Sequence, residues 1–198
     1  HVDRFAGWDA CLCFEGGERT AQGDEAVIVK RKAAATLRVN AHGRSSHSGS
    51  APELGRSALL ALTATAQLVA SHNDPAGPDR LTAVPTILRS GDAFNVVPAE
   101  GELLCDLRAD RLEAFDPVFA ALPDELDEVR LESTMVRAWP GLDSREATAH
   151  TLADASDRLG RPIVGSERGG ASDASHIAAG GVECTIDGAM AVPCRDSF

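Results

Sequence analysis

Four places in this chain set residue types where they could do chemistry. Glu15 follows a short apolar run, residues 9–14, that reads as a buried strand ending at Gly16-Gly17. Open α/β sheets place their ligand sites at the C-terminal ends of strands, and a carboxylate there suits a hard or borderline cation. The same position also fits an exposed loop acid. His47 lies in a polar loop, residues 43–50, among small residues. A neutral imidazole N–H on such a loop can stabilise a developing oxyanion; a surface histidine looks the same. Arg108 stands opposite the apolar side of an alternating strand. Its guanidinium can grip a carboxylate through two bonds, or simply face water. Gly169 and Gly170 precede a helix with Ser172 as N-cap. Free backbone N–H groups and the helix dipole there make an anion site or an ordinary capped helix.

The elements that must position these residues can be read from periodicity. Residues 33–41 alternate, with Ala35, Leu37, Val39 and Ala41 on one side, and read as a half-buried strand. Residues 53–71 carry a helical stripe through Leu54, Ala58, Ala61, Leu62, Leu68 and Val69, stopped by Asn73-Asp74-Pro75. Strands follow at 81–89 and 101–109, a helix at 111–122 and a strand from Val129 to Met135. The order β-α-β-β-α-β predicts an α+β, ferredoxin-like sheet with two helices on one face. His42, at a strand end, reads as structural. After Pro140-Gly141 a helix is expected at 144–159, with short strands at 162–165 and 182–187 around a Gly-Gly loop. Residues 16–26 read as a polar connector. The layout is that of a compact domain inserted between pieces of a host domain.

Composition excludes several classes. The chain has 198 residues, 19 basic and 30 acidic, with a formal net charge of −11. That balance argues against nucleic-acid binding, which needs a basic stripe for phosphates. No run of about 18 apolar residues is present to span a membrane. The start, His1-Val2-Asp3-Arg4, has no signal-peptide pattern, and a cytoplasmic location is expected. The excess of Arg over Lys and the abundance of Ala read as the bias of a GC-rich bacterial genome. Cys11, Cys13, Cys105, Cys184 and Cys194 are odd in number and irregularly spaced, which reads as buried small hydrophobes. There is no Gly-x-Ser-x-Gly elbow, P-loop, dinucleotide fingerprint or His-Glu-x-x-His.

The stretch Gly43-Arg-Ser-Ser-His-Ser-Gly-Ser-Ala-Pro-Glu-Leu-Gly-Arg-Ser-Ala58 resembles the dimerisation-domain signature of a family of co-catalytic zinc hydrolases. That family includes acetylornithine deacetylase, succinyl-diaminopimelate desuccinylase, aminoacylase and glutamate carboxypeptidase. Three more segments agree in order: Leu12-Cys13-Phe14-Glu15, then Asn95-Val96-Val97-Pro98 with Asp106-Leu107-Arg108, then Gly169-Gly170-Ala171-Ser172-Asp173.

The resemblance implies a ferredoxin-like dimerisation (lid) domain at 29–141, inserted into a partial α/β zinc-peptidase catalytic domain made of 1–28 and 142–198. It implies Glu15 as a zinc ligand, with two zinc ions in a complete site. His47 would be the catalytic residue that reaches a partner subunit's site. Asn95, Arg108 and the loop Gly169, Gly170, Ala171 and Ser172 would bind substrate. The reaction would be metal-dependent hydrolysis of an amide beside a free carboxylate, by a homodimer acting on a small substrate. The family's other metal ligands and its general base are expected upstream of Glu15 or after Asp187-Gly188. The tail from Ala189 to Phe198 contains no His, so this chain is expected to hold little zinc and to be catalytically incomplete. Trp139 stands where the carboxypeptidase branch tends to carry Arg. Two further readings are a non-catalytic dimerisation module and a small-anion binder using Arg108 and the 169–173 loop.

Overall fold

The computed structural model describes residues 11–13, 18–20, 23–170, 173–179 and 184–186. In chain order these form β1 (Cys11–Cys13), β2 (Glu18–Arg19), β3 (Glu25–Arg31), β4 (Ala33–His42), β5 (Ser46–His47) and α1 (Ala58–Ser71). Then come β6 (Thr82–Ser90), β7 (Val96–Val97), β8 (Glu100–Ala109), α2 (Asp116–Ala120), β9 (Glu125–Leu126) and β10 (Val129–Trp139). The chain continues with β11 (Leu142–Asp143), α3 (Arg145–Leu159), β12 (Ile163–Arg168), α4 (Asp173–Ala179) and β13 (Cys184–Ile186). Two compact units result: residues 34–138, and the flanks 1–33 with 139–198.

The central unit is the expected βαββαβ sheet. Its strand order is β6-β8-β4-β10-β9. With β9 set aside, the four main strands run second, third, first, fourth, as in the split βαβ motif. Alternation decides the faces. Leu37, Val39 and Ala41 of β4 and Leu103, Cys105 and Leu107 of β8 are fully buried, together with Leu62 and Val69 of α1, Val118 of α2 and Phe115 just before it. Burying a Leu or Phe side chain completely contributes roughly 1.5–3 kcal/mol, so this layer sets the register of the sheet. The first expected helix is shorter than its periodic stripe. Pro52–Leu54 form a 3-10 turn, and α1 starts only after Ser57, whose hydroxyl accepts from Leu60 N at 3.3 Å. The second helix is split into a 3-10 turn, Leu112–Phe115, and α2, with Pro117 near its start.

The flanking unit is built around β3, whose first two residues fall in the expected connector 16–26 and whose remainder no expected element covers. Ala26 to Val29 are all buried, so the strand has apolar residues on both faces and no alternation to show it. β3 pairs β12 in parallel, and β2, β11 and β13 antiparallel. β1 and β13 pair in parallel. α3 packs on β12, and α4 packs against β1 and β13. Among the described residues no helix is long and apolar enough to cross a membrane.

Candidate functional site

The loop that carries His47 is held by short-range backbone geometry, which explains its signature. Arg44 and Arg56 form an antiparallel bridge, with N–H···O distances of 3.0 and 2.8 Å in the two directions. Gly43 lies against this bridge, and a Cβ there would fall 2.1 Å from Arg56 O. A Cβ at Gly55 would meet Ser46 Oγ at 2.5 Å and Val97 Cγ1 at 2.8 Å. Both glycines are therefore needed for the two chain segments to approach. Ser57 then caps α1. The spacing of Gly43, Gly55 and Ser57 is the scaffold of the loop between β4 and α1.

On that scaffold β5 pairs β7 antiparallel, with His47 opposite Val96 and Ser46 opposite Val97. Ser48 N donates to Asn95 O at 2.9 Å. His47 and Asn95 are thus brought together, the first exposed and the second half-buried. The His47 ring Nδ1 accepts from Gly49 N at 3.1 Å and Ser50 N at 3.2 Å. Phe94, next to Asn95, is fully exposed at 101%.

Arg108 lies elsewhere on the same unit. Its Nε and a terminal nitrogen donate to the two carboxylate oxygens of Asp106 at 2.9 and 3.0 Å. Residues i and i+2 of a strand share a face, so the Asp-x-Arg pattern places a carboxylate where it aims the guanidinium. Asp106 is the residue that the reading of Arg108 as a substrate contact overlooked; the period-2 spacing was its signal. Arg108 is eight residues along β8 from Glu100, about 27 Å at 3.4 Å per residue. His47 and Asn95 belong to the end of the unit where β8 begins, and Arg108 to the other end.

In the flanking unit, Gly169 and Gly170 follow β12, and buried Arg31 donates to Gly170 O at 3.2 Å. Glu15, Ala171 and Ser172 lie outside the described residues. Among the described residues no three His, Cys, Asp or Glu side chains gather to hold a metal ion. Trp139 ends β10 and meets His176 edge-on, with ring centroids 4.9 Å apart. His42 Nδ1 is 2.7 Å from Glu100 Oε2, a surface pair on the sheet. Burial pushes the Cys105 thiol up to about 11, so it is packing and not a nucleophile.

The central unit is thus a ferredoxin-like domain, set in the chain between two flanking pieces, that presents a glycine-scaffolded His loop. A family profile described as the peptidase dimerisation domain matches residues 29–134, more than half the chain, and the chain belongs to that family. Among curated proteins it is 29% identical over 182 residues to carboxypeptidase G2 of Pseudomonas sp. strain RS-16, covering 87% of this chain and 43% of that protein. It is 29% identical over 99 residues to the [LysW]-lysine/[LysW]-ornithine hydrolase of Sulfurisphaera tokodaii, covering 50% of this chain and 27% of that one. The aminopeptidase PepT of Bacillus cereus superposes with a TM-score of 0.73 at 17% identity, covering 98% of this chain and 54% of PepT. The chain thus spans about half or less of the length of these relatives. They support membership of a hydrolase family.

Proposed function

We propose that this chain is the dimerising part of a metal-dependent hydrolase that cleaves an amide bond beside a free carboxylate. In this reading residues 29–141 are the inserted domain, and 1–28 with 142–198 belong to its host. The observation that carries it is the separation within the central unit. His47 and Asn95 stand together beside the start of β8, while Arg108, aimed by Asp106, lies eight residues along that strand from Glu100, about 27 Å at 3.4 Å per residue. In this reading one copy does not bring all three to one substrate. A two-fold pair can, with Arg108 from one copy and His47 and Asn95 from the other. Arg108 would hold the free carboxylate and His47 would donate to the carbonyl oxygen as negative charge develops.

The surface supports pairing. α1 has no charged residue in its 14 positions, and Leu60 is 68% exposed on its outer side. Beside it β6 is the last strand of the sheet, with Val84, Ile87 and Leu88 exposed. An uncharged helix face next to a free strand edge is a pairing surface, and a second copy satisfies both.

The test mixes His47→Ala and Arg108→Ala subunits of the full protein, each inactive by itself. Random pairing should restore about a quarter of the wild-type rate, because half the dimers are hybrids with one intact site. No recovery, with hybrids shown to form, would refute shared sites.

A further inference from the structure

We propose that the turn at residues 48–50 is a tautomer lock on His47. The imidazole Nδ1 lies 3.1 Å from Gly49 N and 3.2 Å from Ser50 N. Neither residue is proline, so both nitrogens carry hydrogen and can only donate. Nδ1 must therefore present its lone pair to both, and in the neutral ring the hydrogen sits on Nε2. A hydrogen on Nδ1 would collide with two amide hydrogens.

The turn is itself anchored on either side. Ser48 N donates to Asn95 O at 2.9 Å and Ala51 N to His47 O at 3.1 Å. The two amides that grip the ring are thus held in place by bonds that do not involve the ring. A Cβ at Gly49 would sit 3.6 Å from the imidazole Cε1, ordinary contact, so glycine is not required there for space. What position 49 supplies is its N–H.

The lock restricts what His47 can touch. With the Nδ1 lone pair engaged and hydrogen on Nε2, the exposed edge offers a donor and no acceptor. It takes an oxygen acceptor, such as a carbonyl, a carboxylate or an oxyanion. It neither ligates a metal ion nor abstracts a proton. That the acceptor is a scissile carbonyl rests on the hydrolase reading above; the lock itself does not. Gly49 and Ser50 are positioning residues through their backbones.

Two measurements on the full chain test this without any turnover. Long-range proton–nitrogen spectra of histidine-labelled protein, with His47 assigned by its loss in His47→Ala, should show the pure Nε2–H tautomer. The same ring in the urea-unfolded chain supplies the unconstrained mixture. Amide exchange supplies the second. In His47→Ala the Gly49 and Ser50 amides should exchange roughly 2- to 10-fold faster, the loss of one modest hydrogen bond each. Ser48 and Ala51, bonded to carbonyls, should keep their rates. A folded-state tautomer mixture equal to the unfolded one overturns the proposal, as does unchanged exchange at Gly49 and Ser50. Either result would leave subunit mixing untouched, and failed mixing would leave the lock untouched.

Discussion

Raising the pH from 9 to 11 should destabilise this chain's central unit through one side chain. Cys105 is fully buried between α1 and the sheet, and burial raises its thiol from an ordinary 9.0 to about 11. The unfolded thiol therefore loses its proton first. Between the two values the folded state binds more protons, so stability falls as pH rises. Below 9 the full stability is present; by about 11 it has dropped by roughly 2–3 kcal/mol, at about 1.4 kcal/mol per pH unit. The chain suits the measurement, since it has no Tyr, and Lys30 and Lys32 are its only lysines. Urea unfolding monitored at steps from pH 8 to 11 should show the decline in the wild type. In Cys105→Ala the decline should shrink by roughly that 2–3 kcal/mol share, although the variant is less stable throughout from its small cavity. An equal slope in both proteins would refute the argument that burial of this thiol holds it neutral.

Other expectations follow from the same geometry. Leu60→Glu should weaken dimerisation by about 30-fold or more, since burying most of a Leu contributes about 1–2 kcal/mol per copy and a two-fold axis doubles it; sedimentation velocity across a dilution series reads this. The turn between β9 and β10 holds Asp127 at φ 51° and Glu128 at φ 60°, a conformation suited to Asn-Gly. Asp127→Asn with Glu128→Gly should stabilise by about 1 kcal/mol, because relieved strain outweighs the lost surface pair with Arg56; thermal unfolding checks it. Arg145 holds the Asp143 carboxyl below its usual 3.8. That contribution is present above 3.8 and lost as pH falls through the lower folded value, so the stability gap between wild type and Asp143→Asn should close in acid.

What could be read from the sequence depended on how each residue reports its surroundings. β4 and β8 showed themselves because one face is core and the other is not, so Leu37-Arg38-Val39 and Cys105-Asp106-Leu107 alternate. β3 was silent because both of its faces are covered. The start of α1 was misplaced because Leu54 falls on the helical stripe although it belongs to a 3-10 turn. His47 was found through its signature, but the physical content of that signature lies in close approaches. Gly43 against Arg56, Gly55 against Val97 and the Ser57 cap have no periodicity and appear only when the segments are brought together. The pairing of Asp106 with Arg108 has a period-2 signal that the reading of Arg108 as a substrate contact does not use.

The most direct test of the account is the solution mass of this chain. Sedimentation equilibrium at micromolar concentration should give twice 20.7 kDa, and Leu60→Glu should shift it toward the single-chain mass. A wild-type protein that stays at 20.7 kDa up to high micromolar concentration would contradict a dimerising unit, and with it a site shared between copies.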